Sequence, residues 1–194
     1  MFQSISRALM VAAVTALFAM PSMAQAKDRV YNVDNSHSQV LFNIRHFNAG
    51  LFYGQFLKAT GTITLTGKTK AAVSVTVDAA SVFTNNKKRD KHLRSPDFFN
   101  AKQFPKITFK GTARGLLRRY VTTGQLTFLG KSIKKRVIFT LTKPSKDPWG
   151  NTRIGAIAKT SISRKAFGLK YMPKGLGDKV NLIISLELIK QKKK

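Results

Sequence analysis

The sequence predicts an all-β domain, and three observations support this. About eight short segments alternate apolar and polar residues with a period of two. Glycine, proline and asparagine separate these segments, and a single stretch of the chain carries helix signals. Segments of this length and spacing favour a β-sandwich or an antiparallel barrel over any α/β arrangement.

Each predicted strand presents one apolar face. In the first strand Val40, Phe42 and Ile44 share a face, and in the third Val73 and Val75 do the same. The opposite faces carry many Lys, Thr, Asn and Arg residues, as expected where one side of a sheet meets water. In chain order the predicted strands cover residues 38–46, 61–67, 73–78, 106–110, 126–128, 137–141, 154–162 and 180–188.

A short helical insertion is predicted near residues 85–100, between the third and fourth strands. Its first part is entered after Thr84 and is rich in polar helix formers. Its second part begins at Ser95, a candidate N-cap, followed by Pro96 at the first helical position, and it ends near Asn100.

The inner face of one strand carries three small residues in a row, Ala156, Ala158 and Thr160. Small inward residues leave volume that something must fill. In an eight-stranded barrel that volume is often a ligand cavity. Large residues such as Phe42 and Phe139 could equally fill it, so the pattern leaves a cavity and a packed core open.

The first 26 residues are predicted to be a cleavable secretory signal peptide. Arg7 precedes an apolar run over 8–20, and a small-x-small site follows at 24–26. The apolar run is shorter than the roughly 20 residues that a transmembrane helix needs. We therefore expect export to the periplasm and a domain of residues 27–194.

The charge balance is strongly basic. The chain has 35 Lys and Arg against 8 Asp and Glu, a net charge of +27, and removal of Arg7 with the leader leaves +26. Such a field attracts polyanions. Export argues against nucleic acid as a partner and favours an anionic membrane surface. A diffuse solubility function explains the charge equally well.

The residues with catalytic potential are few and badly spaced. The sequence has no cysteine, and its three histidines are His37, His46 and His92. His37 and His46 are nine residues apart, so an uninterrupted strand places them on opposite faces. Asp90 and His92 lie two apart, about 200° around a helix. We therefore predict a non-enzymatic protein with no catalytic residue and no metal site.

Six spaced segments of the chain are, in order, YNVDNSHSQVLFNIRH, YGQF, SVFTNNKKRDKHLRSPDFF, FPKITFKGT, GQLTFLGKSI and ISRKAFGL. Together they resemble the YceI-like family. The resemblance covers essentially all of residues 27–194. It implies an eight-stranded antiparallel β-barrel of lipocalin-like shape, often a homodimer. It further implies an apolar channel that holds a polyisoprenoid chain, such as a polyprenyl quinone or polyprenyl phosphate, for transport, storage or sequestration, with no covalent cofactor.

This interpretation assigns two sets of site residues and departs from the family pattern at two positions. Ala166 and Asn100 each stand where the family usually has an acid, which puts ion pairs of Arg164 in doubt. Leu93, Phe98, Phe99 and Phe104 are expected to form a lid. The predicted channel lining is Phe42, Ile44, Phe56, Val75, Leu93, Phe98, Phe99, Phe109, Leu126, Phe128, Phe139, Ala156 and Ala158. The predicted headgroup or structural polar residues are His37, His46, Arg89, Asp90, His92 and Arg164.

A second hypothesis needs no internal ligand. In it the chain is a basic periplasmic module with a filled barrel that binds anionic lipid surfaces or other polyanions through its net charge. Such binding falls steeply with salt, whereas binding of a lipid inside the barrel does not.

Overall fold

The computed structural model describes residues 27–192, so the predicted signal peptide lies outside the described residues. One α-helix, α1 (Lys87–Leu93), and eleven strands are present in this part of the chain. The helix is too short and too polar to cross a membrane, and no other helix among the described residues could do so. The strands are β1 (Arg29–His46), β2 (Gly50–Phe56), β3 (Ala59–Thr66), β4 (Lys70–Asp78), β5 (Val82–Phe83), β6 (Lys106–Leu116), β7 (Arg119–Phe128), β8 (Lys131–Leu141), β9 (Ser145–Lys146), β10 (Thr152–Ser163) and β11 (Leu176–Lys190).

Eight of these strands close into an antiparallel barrel. Their order around the barrel is β1, β3, β4, β6, β7, β8, β10 and β11, and β11 pairs back onto β1. Closure leaves these strands without a free edge. The predicted eight-stranded barrel is confirmed.

Strand β1 changes partner along its length. Its first residues, Arg29–Asn32, pair with β3, whereas Val40–His46 pair with β2. A register irregularity against β11 between Asp34 and Gln39 separates the two halves. Because the irregularity resets the alternation, Tyr31 and Phe42 are both buried although they are an odd number of residues apart.

The predicted elements differ from the observed ones mainly at their ends. Most strands are longer than predicted, and β2, β5 and β9 were not predicted. Helix α1 begins at Lys87, and its N-cap is Asn86, whose side chain accepts a hydrogen bond from the Arg89 amide at 3.0 Å.

The predicted second helix beginning at Ser95 is wrong. Residues 95–99 form turns, in which the Ser95 carbonyl accepts from the amides of Phe98 and Asn100. The amide of Phe99 instead donates back to the carbonyl of Leu93 at 2.9 Å. A helix this short is marginal by itself, so the chain follows the packing of its aromatic residues inward.

One end of the barrel is packed solid, and we call it the closed end. Leu188 is fully buried there, and the rings of Tyr120 and Phe139 stack with centroids 5.2 Å apart. The other buried residues of this end are Tyr31, Leu65, Ala71, Ala113, Leu141 and Ile154.

Candidate functional site

The opposite half of the barrel contains a cavity of about 420 Å³. The small inward residues of β10, Ala156, Ala158 and Thr160, line it together with large side chains from the other strands. Large residues therefore do not fill the space that the small ones leave. The structure places every predicted channel residue in this lining: Phe42, Ile44, Phe56, Val75, Leu93, Phe98, Phe99, Phe109, Leu126, Phe128, Phe139, Ala156 and Ala158. Their contact with a ligand stays a prediction.

The cavity is elongated along the strands. On β11 its lining runs from Leu186 to Leu176, which are ten residue steps apart, or about 33 Å of strand at a rise of about 3.3 Å per residue. The lining residues in this run are apolar: Leu186, Ile184, Leu182, Val180 and Leu176. The shape and lining suit a long apolar molecule better than a compact polar one.

A lid formed by α1 and the turns after it covers one side of the cavity. Phe99 lies 6.4 Å from Phe42 and 5.2 Å from Phe56 on one wall, and 5.8 Å from Phe128 on another, between ring centroids. It therefore ties the lid to β1, β2 and β7. The expectation that Phe104 also closes the channel is wrong. Its ring packs on Gly130, where a Cβ atom would lie only 2.9 Å from it, and it does not line the cavity.

The mouth lies where cavity-lining side chains reach solvent. His92 and Phe98 of the lid contact Tyr171 of the β10–β11 connection, and all three ring centroids are 5.0 Å apart. The imidazole of His92 also bonds Asp97 at 2.8 Å. His46 lines the cavity as well and is exposed. These aromatic contacts join the lid to the far wall.

A hydrogen-bonded network holds the lid in place. The hydroxyl of Thr84 donates to the buried carboxylate of Asp90 at 2.5 Å and accepts from Arg89 Nε at 2.8 Å. Arg89 also donates to the Thr84 carbonyl at 2.7 Å and lies 4.5 Å above the ring of Phe52. Asp90 does not line the cavity. The spacing argument against an Asp90–His92 pair holds, because each residue has a different partner.

Arginine and lysine side chains also line the largely apolar cavity: Arg89, Lys135 and Arg164. No carboxylate lies among the lining residues that the structure describes. Lys135 was not predicted, although continuing the alternation of β8 backwards from Phe139 through Val137 points to it. Its ammonium donates to the Ser161 carbonyl at 2.5 Å.

Arg164 is the most buried of these cations, with 3% of its surface exposed. Its Nε donates to the Gly177 carbonyl at 3.0 Å and Nη2 to the Leu176 carbonyl at 3.3 Å, whereas Nη1 has no hydrogen-bond partner. Burial lowers the pKa of this guanidinium, and nearby Asp178 opposes the shift. Among the residues that the structure describes, Arg164 forms no ion pair, as the alanine at position 166 led us to expect.

The hydroxyl of Thr122 also lacks a partner. It is fully buried and belongs to a residue that lines the cavity. In the part of the chain that the structure describes, both unpartnered buried side-chain atoms thus belong to lining residues. Buried polar groups are usually hydrogen-bonded, so these two atoms are candidate partners for the polar group of a ligand.

His37 lies apart from the cavity, in a polar cluster toward the closed end. Its imidazole bonds Asp34 at 2.9 Å, and Glu187 completes a group with metal-ligating geometry among the described residues. Arg153 Nη1, however, donates to Asp34 at 2.7 Å and to Glu187 at 2.5 Å. The guanidinium thus occupies the place that a cation would need.

Comparison with known proteins gives the same architecture over the whole barrel. Residues 31–188 match the YceI-like domain family. The chain is 37% identical over 172 residues to Protein YceI of Escherichia coli O157:H7, covering 87% of this chain and 90% of that protein.

Two solved structures share the fold. BcnA of Burkholderia cenocepacia has a TM-score of 0.70 and 22% identity, over 80% of this chain and 98% of that one. A polyisoprenoid binding domain from Saccharophagus degradans has a TM-score of 0.61 and 16% identity, over 86% and 99%. With a family match across the barrel and a relative more than one-third identical over most of the chain, this protein belongs to the YceI-like family.

Proposed function

We propose that this protein binds a long apolar lipid, a polyisoprenoid chain such as that of a polyprenyl quinone or polyprenyl phosphate, inside the barrel. The observation that carries the proposal is the elongated apolar cavity of about 420 Å³. This volume falls within the roughly 300–1,000 Å³ typical of small-molecule sites. Each buried CH₂ group contributes about 0.8 kcal/mol, so several isoprene units supply ample gross affinity.

The polar atoms of the lining suit a headgroup that accepts hydrogen bonds. Arg164 offers a buried guanidinium with Nη1 unpartnered, and Arg89 and Lys135 add positive charge without any lining carboxylate. A phosphate or a quinone carbonyl accepts from such donors. The fold shared with the Saccharophagus degradans polyisoprenoid binding domain is in keeping with this ligand class.

We assign this site a role in holding lipid, not in transforming it. A carrier, store or sequestering protein for a membrane-derived lipid needs an aqueous compartment beside a membrane. Export to the periplasm, with cleavage after Ala26, therefore forms part of the proposal. The alternative of a basic module assumed a filled barrel, and the cavity contradicts that part of it. Binding to an anionic surface does not depend on a filled barrel and stays a separate hypothesis.

Native mass spectrometry of the full chain expressed with its own leader in a bacterial host tests the proposal. We expect a polypeptide that begins at Lys27 and carries a non-covalent adduct, which solvent extraction releases as an isoprenoid lipid. Protein that emerges ligand-free and also rejects added polyprenyl quinone and polyprenyl phosphate would show that the proposal is wrong.

A further inference from the structure

The closed end of the barrel, away from the mouth, exposes the largest apolar side chains of two turns. In the β6–β7 turn Leu116 is 70% exposed and Leu117 is 88% exposed. In the turn between β9 and β10, Trp149 is 75% exposed. Both turns project from the same end of the barrel. The Arg118 carbonyl, in the β6–β7 turn, accepts from the amide of Leu141, the last residue of β8. Leu141 in turn pairs with the first part of β10, which follows the turn that carries Trp149.

Cations surround these apolar tips. Asp147, in the turn that carries Trp149, accepts from the Arg153 guanidinium at 2.7 Å, whereas Asp28 accepts from the neutral Thr66 hydroxyl at 2.5 Å and keeps its charge. The exposed basic residues of this end outnumber these acids, so the end presents a net positive charge. Exposed basic residues of this end include Lys68, Lys70, Arg118, Arg119, Lys143 and Lys146.

The backbone gives no structural reason for leucine in the β6–β7 turn. Leu117 has φ of 49° and Arg118 has φ of 70°, a conformation in which hairpin turns usually place Asn-Gly. A leucine in the left-handed region is disfavoured, and here its side chain is almost wholly in water. Leu117 therefore lowers the stability of the fold, and its side chain makes little packing contact with the barrel in return.

We propose that the closed end is a docking surface for an anionic lipid bilayer. Leu116, Leu117 and Trp149 enter the interface between headgroups and acyl chains, while Arg118 and Arg119 contact lipid phosphates. Tryptophan favours this interface, and basic residues are attracted to an anionic lipid surface. Two convex turns present too little area for a stable protein interface, which needs roughly 1,000 Å².

This docking mode places the cavity mouth on the side away from the bilayer. The proposal does not depend on what the cavity holds, since none of its residues lines the cavity. A protein with no internal lipid would still dock, and a protein that carries lipid could still fail to dock. The two proposals can thus fail separately.

Trp149 is the single tryptophan of the sequence and lies within the proposed surface, so its fluorescence reports docking directly. Vesicles of phosphatidylglycerol and phosphatidylcholine in equal parts are titrated into the protein at low salt. We expect Trp149 emission to shift to shorter wavelength and to be quenched by lipids brominated on the acyl chains. Vesicles of phosphatidylcholine alone, or added salt, should remove most of the shift.

A double variant, Leu116→Ser with Leu117→Ser, keeps the reporter and should lower partitioning about tenfold or more, given the apolar surface removed. Phe47→Ser is the matched control, because Phe47 is 60% exposed in the β1–β2 turn at the mouth end. It should leave partitioning unchanged. Circular dichroism checks that each variant folds.

Three results would overturn the proposal. One is co-sedimentation with anionic vesicles without any change in Trp149 emission, which would place contact elsewhere. Another is a decrease in vesicle partitioning of the Phe47→Ser variant as large as that of the double variant. The third is the same emission shift on self-association, or on adding a nucleic acid oligomer, with no preference for vesicles.

Discussion

Ala158 of β10 lies opposite Phe139 of β8 in the sheet register, and both side chains line the cavity. A small residue facing a large one leaves part of the barrel empty. The next inward pair toward the closed end is Ala156 of β10 opposite Leu141 of β8. The side chain at position 158 therefore decides how much room remains beside Phe139, and it can be changed without touching the mouth.

Replacing Ala158 with phenylalanine should block the cavity. The added ring occupies space beside Phe139, so we expect a loss of lipid retention, with a stability cost of about 1–3 kcal/mol from overpacking. Lipid carried through purification, measured by native mass spectrometry, checks this. Ile157→Phe is the control, since Ile157 is 47% exposed on the outer face of the same strand. Equal lipid content in both variants would contradict an internal site.

The lid aromatics should separate lipid retention from stability. Phe98→Ala removes a mouth contact with His92 and Tyr171, so lipid should leave faster with little loss of stability. Phe99→Ala also breaks packing against three rings, those of Phe42, Phe56 and Phe128, and should cost about 2–4 kcal/mol as well. Transfer of a fluorescent polyprenyl lipid to acceptor vesicles measures the release, and urea unfolding measures the cost.

Phe104→Ala provides the control for these two variants. Its ring packs on Gly130 outside the lining, so this variant should lose some stability and keep the release rate of the wild-type protein. If lipid left the Phe104→Ala variant faster than the Phe98→Ala variant, Phe98 would not be the side chain that controls lipid release.

Asp90→Asn should act on stability alone. In the wild-type protein the buried Asp90 carboxylate accepts a hydrogen bond from the Thr84 hydroxyl. In the variant the neutral asparagine amide is a weaker acceptor, and its NH₂ group adds two buried hydrogen-bond donors. We expect a loss of about 1–3 kcal/mol in urea unfolding. Asp97→Asn, in an exposed side chain bonded to His92, should change stability by less than about 1 kcal/mol. An Asp97 variant as unstable as the Asp90 variant would contradict this account.

Arg153 should make stability depend on acid pH. Its hydrogen bond, with that of His37, lowers the pKa of Asp34 from 3.8 to about 2. Burial raises the pKa of Asp147, but hydrogen bonds from Asn151 and Arg153 outweigh it and bring the value to about 2. Both carboxylates therefore stabilise the fold above about pH 4, and this contribution is lost as pH falls through about 2.

Arg153→Met tests that network. The variant should be clearly less stable than wild type at pH 7, and the difference should shrink as pH falls toward 2, where wild type loses the same contribution. Urea unfolding across this pH range measures it, with Arg118→Met as a control whose side chain is exposed. A deficit independent of pH would show that Arg153 acts by packing alone.

The inner faces of the strands were predictable because alternation along a strand is a local property. Val40, Phe42 and Ile44 were assigned inward from the period alone, and the barrel buries all three. The same rule identifies Lys135 once the strand is extended backwards. It fails where a strand is irregular, as between Asp34 and Gln39, because β1 there holds three more residues than β11 and an odd number of extra residues exchanges the faces.

The insertion was only partly predictable. Helix signals identified α1, but local propensity gave a second helix after Ser95 that does not form. The position of Phe99 depends on rings from β1, β2 and β7, which are distant in sequence. Contacts of this kind override weak local preferences.

The sequence by itself determined the all-β class, the family and the residues that face the barrel interior, because each depends on local periodicity or on ordered segments. Only the tertiary structure decided that the interior is open in one half and packed in the other. It also brought Arg153 to Asp34 and Glu187, and it left Arg164 Nη1 without a partner. These features depend on strand register and barrel closure, which set distances between residues far apart along the chain.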